Sequence, residues 1–170
     1  MFELSKAVAV VQQDLTRACY HEAAHCAVAF HFGVHGHWRV WAITDQPSVY
    51  FRENIAFAGR FYFFTGTTND TARMMIGLAG YVAECLLEDS EIEAWEIIDE
   101  HLSVDEMSDT DAALAGDFTE HHIQESLNII KSLWPIIKQD AEWGIEAMRD
   151  DVIALADFLV NGEGGEPCLT

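Results

Sequence analysis

Apolar residues recur at three- and four-residue steps from the start of the chain, at Leu4, Val8, Val11, Leu15, Ala18 and Cys19. This period predicts a long helix over residues 3–33, with Asp14 as a point where it could break and Gly33 as its stop. From His37 to Phe64 the texture changes to β-branched and aromatic runs, WRVWAI, SVYF and IAFAGRFYFF, separated by Asp45-Gln46-Pro47 and Arg52-Glu53-Asn54. Two or three short strands are expected there. Thr67, Thr68 and Asn69 are N-cap candidates for a second long helix, whose apolar positions Ala72, Met75, Ile76, Ala79, Val82, Ala83 and Leu86 carry it to about Leu87. A short acidic helix is expected from Glu91 to His101. Ser108 or Asp109 then caps a helix running to about Trp134, where Pro135 should end or kink it. Residues 136–160 read as one further helix or a pair. The Gly- and Pro-containing tail from Asn161 is expected to be loosely ordered. The pattern therefore gives a mainly α fold with a small β element, as a single domain over residues 1–160 followed by a tail over 161–170.

Composition agrees with a packed domain. The chain has 170 residues, of which 50% are hydrophobic and 22% charged, and a domain of that length buries roughly 70% of the surface its unfolded chain exposes. The formal charge is −20, from 29 acidic against 9 basic side chains. Such a field repels nucleic acids and anionic membrane surfaces. Between Arg73 and Lys131 stand fifteen Asp and Glu and no basic residue, which reads as a solvated acidic face or a surface for cationic partners. Cys19, Cys26, Cys85 and Cys168 are scattered without a C-x-x-C pair. They fit small buried thiols of a reduced cytoplasm better than a disulfide framework or a thiolate metal site. No apolar run reaches the roughly 18 residues of a membrane span, and no signal peptide is read at the N-terminus.

The chemistry concentrates in His21-Glu22-Ala23-Ala24-His25. On a helix, histidines four apart share a face and can hold one zinc ion. The intervening Glu22 then reaches the water that such a zinc activates. A catalytic zinc needs a third protein ligand and an open position. His31 stands six residues after His25, but the helix that continues to Gly33 carries it about 240° away, so it is set aside. Two acids remain: Glu84, on the second long helix behind the small residues Gly77, Gly80 and Ala83, and Asp111, at the start of a later helix where the dipole favours a carboxylate. Pattern alone does not choose between them. His35, His37, His101, His121 and His122 read as solvated side chains.

The run Ala18-Cys19-Tyr20-His21-Glu22-Ala23-Ala24-His25-Cys26-Ala27-Val28-Ala29 resembles the active-site helix of the FtsH family of zinc metallopeptidases, A-Y-H-E-A-G-H-A-L-V-A. Leu78-Ala79-Gly80-Tyr81-Val82-Ala83-Glu84 resembles that family's L-G-G-R-A-A-E, and Ser108-Asp109-Thr110-Asp111 resembles its A-S-N-D. The strand after the first helix and the last helices are also similar, so the resemblance spans about residues 15–160. It implies an FtsH-protease-domain-like helical fold, Zn2+ as cofactor, His21, His25 and Asp111 as ligands, and Glu22 as general base. Glu84 becomes a carboxylate adjacent to the site. Ala24, Ala79, Tyr81, Asp109 and Thr110 depart from the family's residues at their positions.

What the resemblance implies is hydrolysis of peptide bonds by zinc-activated water, with an extended substrate held along the Trp38–Ile43 strand. The chain contains no G-x-x-x-x-G-K-[ST] loop. The expected substrates are therefore small or unstructured polypeptides, unless an AAA ATPase acts in trans. Homo-oligomerisation is left open. The competing expectation is a catalytically silent relative that keeps the fold, with or without the metal, as a protein-interaction module.

Overall fold

The structure is a computed structural model, and it describes residues 2–43, 56–66, 69–101 and 107–161. Within these the chain is mainly helical with one small antiparallel sheet. Helix α1 (Phe2–His31) leads into strand β1 (His35–Ala42), which pairs with β2 (Phe57–Thr65). Helix α2 (Asp70–Glu88) follows, then a short α3 (Ala94–Glu96) that continues as a π-helical turn over Ile97–His101. Helices α4 (Asp109–Ala115), α5 (Glu120–Ala147) and α6 (Arg149–Asn161) complete the described chain.

Helix α1 is the axis of the molecule. Ala18, Cys19, Tyr20, Glu22, Ala23, Ala24 and His25 are all buried, so this stretch is enclosed nearly all round, as a helix in the middle of a core must be. It packs against α2, α5, α6 and both strands. The small side chains at positions 18, 23 and 24 let those neighbours approach. Asp14 does not break the helix. Its carboxylate is buried and accepts hydrogen bonds from the Ala56 and Phe57 amides, both at 2.9 Å, while its other oxygen pairs with Arg17 at 3.1 Å. A satisfied acid inside a helix costs the helix little, and here it anchors the start of β2. The helix ends where Gly33 adopts φ +75°, as its sequence position indicates.

Strands β1 and β2 run antiparallel from His35↔Thr65 to Ala42↔Phe57, with an irregularity between His35 and Gly36. The SVYF segment and its flanking turns lie outside the described residues, as do Thr67 and Thr68. Asn69 is the observed cap of α2, its side chain accepting from the Ala72 amide at 2.8 Å.

Three expected boundaries shift. The acidic helix from Glu91 is confined to Ala94–His101. The helix expected from Ser108 to Trp134 is divided in two, because Gly116 adopts φ +59° and ends α4. Pro135 neither ends nor delimits a helix, for α5 runs through it. The proline ring and the Lys131 residue that would have received its missing hydrogen bond are both exposed, so water can satisfy the freed carbonyl. On the opposite side Ile123, Leu127, Ile130, Ile137 and Ala141 are buried, with half-buried Trp134 between them, and this stripe holds the helix to the core on both sides of the proline. Residues 136–160 divide at Met148 into the end of α5 and α6, which reaches Asn161. The rest of the expected tail, 162–170, lies outside the described residues.

Among the described residues, no helix is long and apolar enough to cross a membrane.

Candidate metal centre

His21 and His25 stand one turn apart on the enclosed part of α1 and converge on Asp111 from α4. Ser108 caps α4, accepting the Asp111 amide at 3.1 Å, and so fixes the backbone from which the Asp111 carboxylate projects. The two Nε2 atoms are 2.9 Å apart. Asp111 Oδ2 lies 3.2 Å from His21 Nε2, and Oδ1 lies 3.3 Å from His25 Nε2. Zinc bonds of 2.0–2.2 Å in tetrahedral geometry place ligand atoms about 3.3–3.5 Å from one another, so the donor triangle has nearly the required size.

The outer nitrogens define the ring orientations. His25 Nδ1 donates to the Ile76 carbonyl at 2.6 Å, and His21 Nδ1 donates to Glu84 Oε1 at 2.6 Å. Both Nε2 atoms are thereby turned toward Asp111, which is the arrangement a divalent cation needs. The donor set of two imidazoles and one carboxylate suits zinc and other divalent ions of similar preference. Glu84 is thus behind His21 and not in the donor triangle. His31 is exposed at the end of α1, and His35, His37, His121 and His122 lie away from the centre. The side chain of His101 lies outside what the structure describes.

Arg17, with no role assigned from the sequence, and Asp14, expected only as a helix break, extend the network. Arg17 Nη1 lies 3.2 Å from Glu84 Oε2, and Arg17 Nη2 lies 3.1 Å from Asp14 Oδ1. A continuous ionic chain therefore runs from the first amides of β2 through Asp14, Arg17 and Glu84 to the His21 ring. The signal was present in the spacing: residues 14, 17 and 21 stand at i, i+3 and i+7 and share one helix face.

Close packing holds the centre from two sides. A Cβ on Gly80 would overlap the His21 ring, so this glycine lets α2 press against the metal-facing part of α1. Gly77 admits a different neighbour, since a Cβ there would strike the α4 backbone at Asp111 and Ala115. On the sheet side, a Cβ on Gly59 would collide with the Glu22 carboxyl group. Glu22 is 7% exposed.

Electrostatics follow from this geometry. Burial by itself disfavours a charged His21, but hydrogen bonds to Asp111 and Glu84 and the nearby carboxylate charges win, holding its imidazolium well above the ordinary histidine range. Burial likewise opposes ionisation of Asp111 and Glu84, yet hydrogen bonds from the histidines for Asp111, and from His21 and Arg17 for Glu84, leave both below the usual carboxylate range. Glu22 moves the other way. Burial raises it, and the charges of His21 and His25 only partly offset that rise.

No protein-family model matches this chain, and no curated protein matches it in sequence. The described fold thus supplies a metal-competent group of His21, His25 and Asp111, braced by Glu84 and flanked by Glu22.

Proposed function

We propose that this chain is a zinc-dependent metallopeptidase of the FtsH type, acting on small or unstructured polypeptides. The observation that carries the reading is the orientation of the two imidazole rings. Both Nδ1 atoms donate away from the centre, to Glu84 and the Ile76 carbonyl, so that both Nε2 atoms and the Asp111 carboxylate face one another. The resemblance of the three motifs to FtsH-type peptidases supports the same assignment. When bound, a zinc ion supplies Lewis acidity, which polarises a peptide carbonyl and lowers the pKa of a water.

The remaining steps belong to the chain. Glu22 follows His21 directly on α1, and burial has raised its proton affinity. It takes the proton from the attacking water and returns it to the leaving amine nitrogen. Glu84 keeps the His21 ring in the tautomer whose Nε2 lone pair faces inward. Strand β1 is paired with β2 on one side only among the described residues, and its other edge can take an extended substrate by strand addition. An AAA ATPase acting in trans would extend the substrate range to folded proteins, and the Glu22→Gln protein is the bait with which to seek it.

The second reading, a silent interaction module, is favoured by one observation: the Glu22 carboxyl is packed against Gly59 and nearly closed to solvent. Hydrolysis of a quenched, unfolded protein by the zinc-loaded wild type and by Glu22→Gln separates the two. Peptidase activity predicts cleavage by the first and none by the second at equal zinc content. Background rates in both, with zinc bound, would move the assignment to the silent module.

A further inference from the structure

The outward face of the sheet is unlike the rest of this acidic molecule. In the β1–β2 register Arg39 stands directly opposite Arg60, with His37 opposite Tyr62 on one side and Trp41 opposite Ala58 on the other. Alternation along the strands puts these six on one face. The opposite face packs inward, with Gly59 against Glu22 and Trp38 against Gly144 of α5. Arg39 and Arg60 are both exposed, and neither has a carboxylate partner among the described residues, although the chain holds 29 acids and only 9 basic residues.

Like charges directly opposite across two strands repel, so this pair weakens the sheet unless an anion lies between them. The guanidinium of Arg60 also lies 5.6 Å from the centre of the Tyr62 ring, which itself stacks on His37 at 4.9 Å. That stacking gives the upper end of the face an ordered aromatic shelf. Trp41, 37% exposed, provides another at the lower end. The two shelves are four strand positions apart, about 13 Å, with the arginine pair midway. A free phosphate would need the arginines alone. An extended polypeptide with an acidic side chain flanked at ±2 by apolar ones matches all three levels.

We propose that this face docks an acidic segment of a partner polypeptide, its carboxylate between Arg39 and Arg60 and its neighbouring apolar side chains on Tyr62 and Trp41. The site does not depend on the peptidase reading, and the partner chain can equally be a substrate or a regulator. The long-range field of the −20 chain opposes an acidic partner, whereas the paired guanidinium groups act at contact distance. Binding is therefore favoured at moderate salt, about 0.1 M, where the Debye length of about 10 Å removes more of the repulsion than of the contact.

The test uses fluorescence anisotropy of a labelled peptide with a Leu-Gly-Glu-Gly-Leu core on the zinc-loaded Glu22→Gln protein, in which hydrolysis cannot consume the probe. Saturable binding is expected, weakened at least about tenfold by Glu→Gln in the peptide or by Arg39→Gln with Arg60→Gln in the protein. The double variant should keep its circular dichroism and zinc content, since both side chains are exposed. Equal affinity of the double variant and its parent, or no saturable binding, would overturn the proposal. Displacement of the peptide by inorganic phosphate that binds by itself would reduce the face to a small-anion site. Concentration-dependent self-association abolished by the double variant would assign the face to a second copy of the chain and overturn the acidic-partner claim.

Discussion

Arg17 and Glu84, sixty-seven positions apart, meet through Arg17 Nη1 and Glu84 Oε2 at 3.2 Å, while the other Glu84 oxygen takes the His21 Nδ1 proton at 2.6 Å. One carboxylate is thereby shared between an arginine and a metal-facing imidazole. Removing the arginine leaves Glu84 held on one side only and frees the His21 ring to rotate with it. Partners one step behind a metal ligand are worth about 10- to 100-fold in metal affinity. Glu84 is that partner and Arg17 stands one step further out, so Arg17→Met is expected to weaken zinc binding by up to about tenfold, the low end of that range, measured by competition with a chromophoric chelator. Arg17→Lys should recover part of the loss, because it restores the charge without the two-armed fork. Unchanged affinity in Arg17→Met would show that Glu84 needs no bracing.

In the absence of a metal, the Asp111 and Glu84 carboxylates favour the protonated form of His21. His21 is raised well above the usual value, so its contribution to stability is present below about pH 6.5 and is lost as pH rises through its higher folded value. Asp111 and Glu84 are lowered, so theirs is present above about pH 4 and is lost as pH falls through their lower folded values. Without metal, this cluster stabilises the fold most between about pH 4 and 6.5. Zinc must expel the His21 proton, and so its stabilising increment should grow with pH. Thermal melts with zinc and with chelator from pH 6 to 8.5 check this. An increment that stays constant over that range would show that no proton is displaced.

Much of this centre was legible because its chemistry imposes spacing. His21, Glu22 and His25 had to lie within one helical turn, and Ser108 before Asp111 marked a helix start. The choice between Glu84 and Asp111 was not legible from periodicity, since it depends on how α4 crosses α2, which Gly77 permits by admitting the α4 backbone. Asp14 looked like a helix break because its partners, the Ala56 and Phe57 amides, lie forty-two and forty-three residues away. Pro135 looked like a stop because local rules charge it for a lost hydrogen bond. They do not count the buried stripe from Ile123 to Ala141, which keeps α5 packed on both sides of it.

Gly80→Ala tests the close approach of α2 to α1. The added methyl group would overlap the His21 ring, so α2 must retreat or the ring must turn. Overpacking of this kind costs about 1–3 kcal/mol, and Glu84, one turn further along α2, would be drawn from His21 at the same time. Loss of stability together with weakened zinc binding is expected, from chemical denaturation and chelator competition. Gly33→Ala is the control. It meets no atom within 4 Å but must adopt φ +75°, which costs about 1–2 kcal/mol, with zinc affinity unchanged. Equal effects of the two variants on zinc binding would mean that Gly80 acts through general stability and not through the His21 ring.

Asp14→Ala separates the two ends of the ionic chain. The Asp14 carboxylate is 4% exposed at the residue level and accepts the Ala56 and Phe57 amides at 2.9 Å each, as well as pairing with Arg17. Its removal leaves two buried amides without an acceptor, at about 1–3 kcal/mol each, while Arg17 keeps its pair with Glu84. If that were only a core defect, zinc affinity measured on the folded protein would be unaffected, and protection of the β2 amides would fall in step with global stability. The geometry predicts more than this. Hydrogen exchange should accelerate first at Ala56 and Phe57, through local opening of the start of β2, and zinc affinity should fall because Arg17 no longer has a fixed position from which to hold Glu84. Protection at Ala56 and Phe57 that merely follows the global unfolding free energy, with zinc binding intact, would show that the strand and the metal centre are independent of each other.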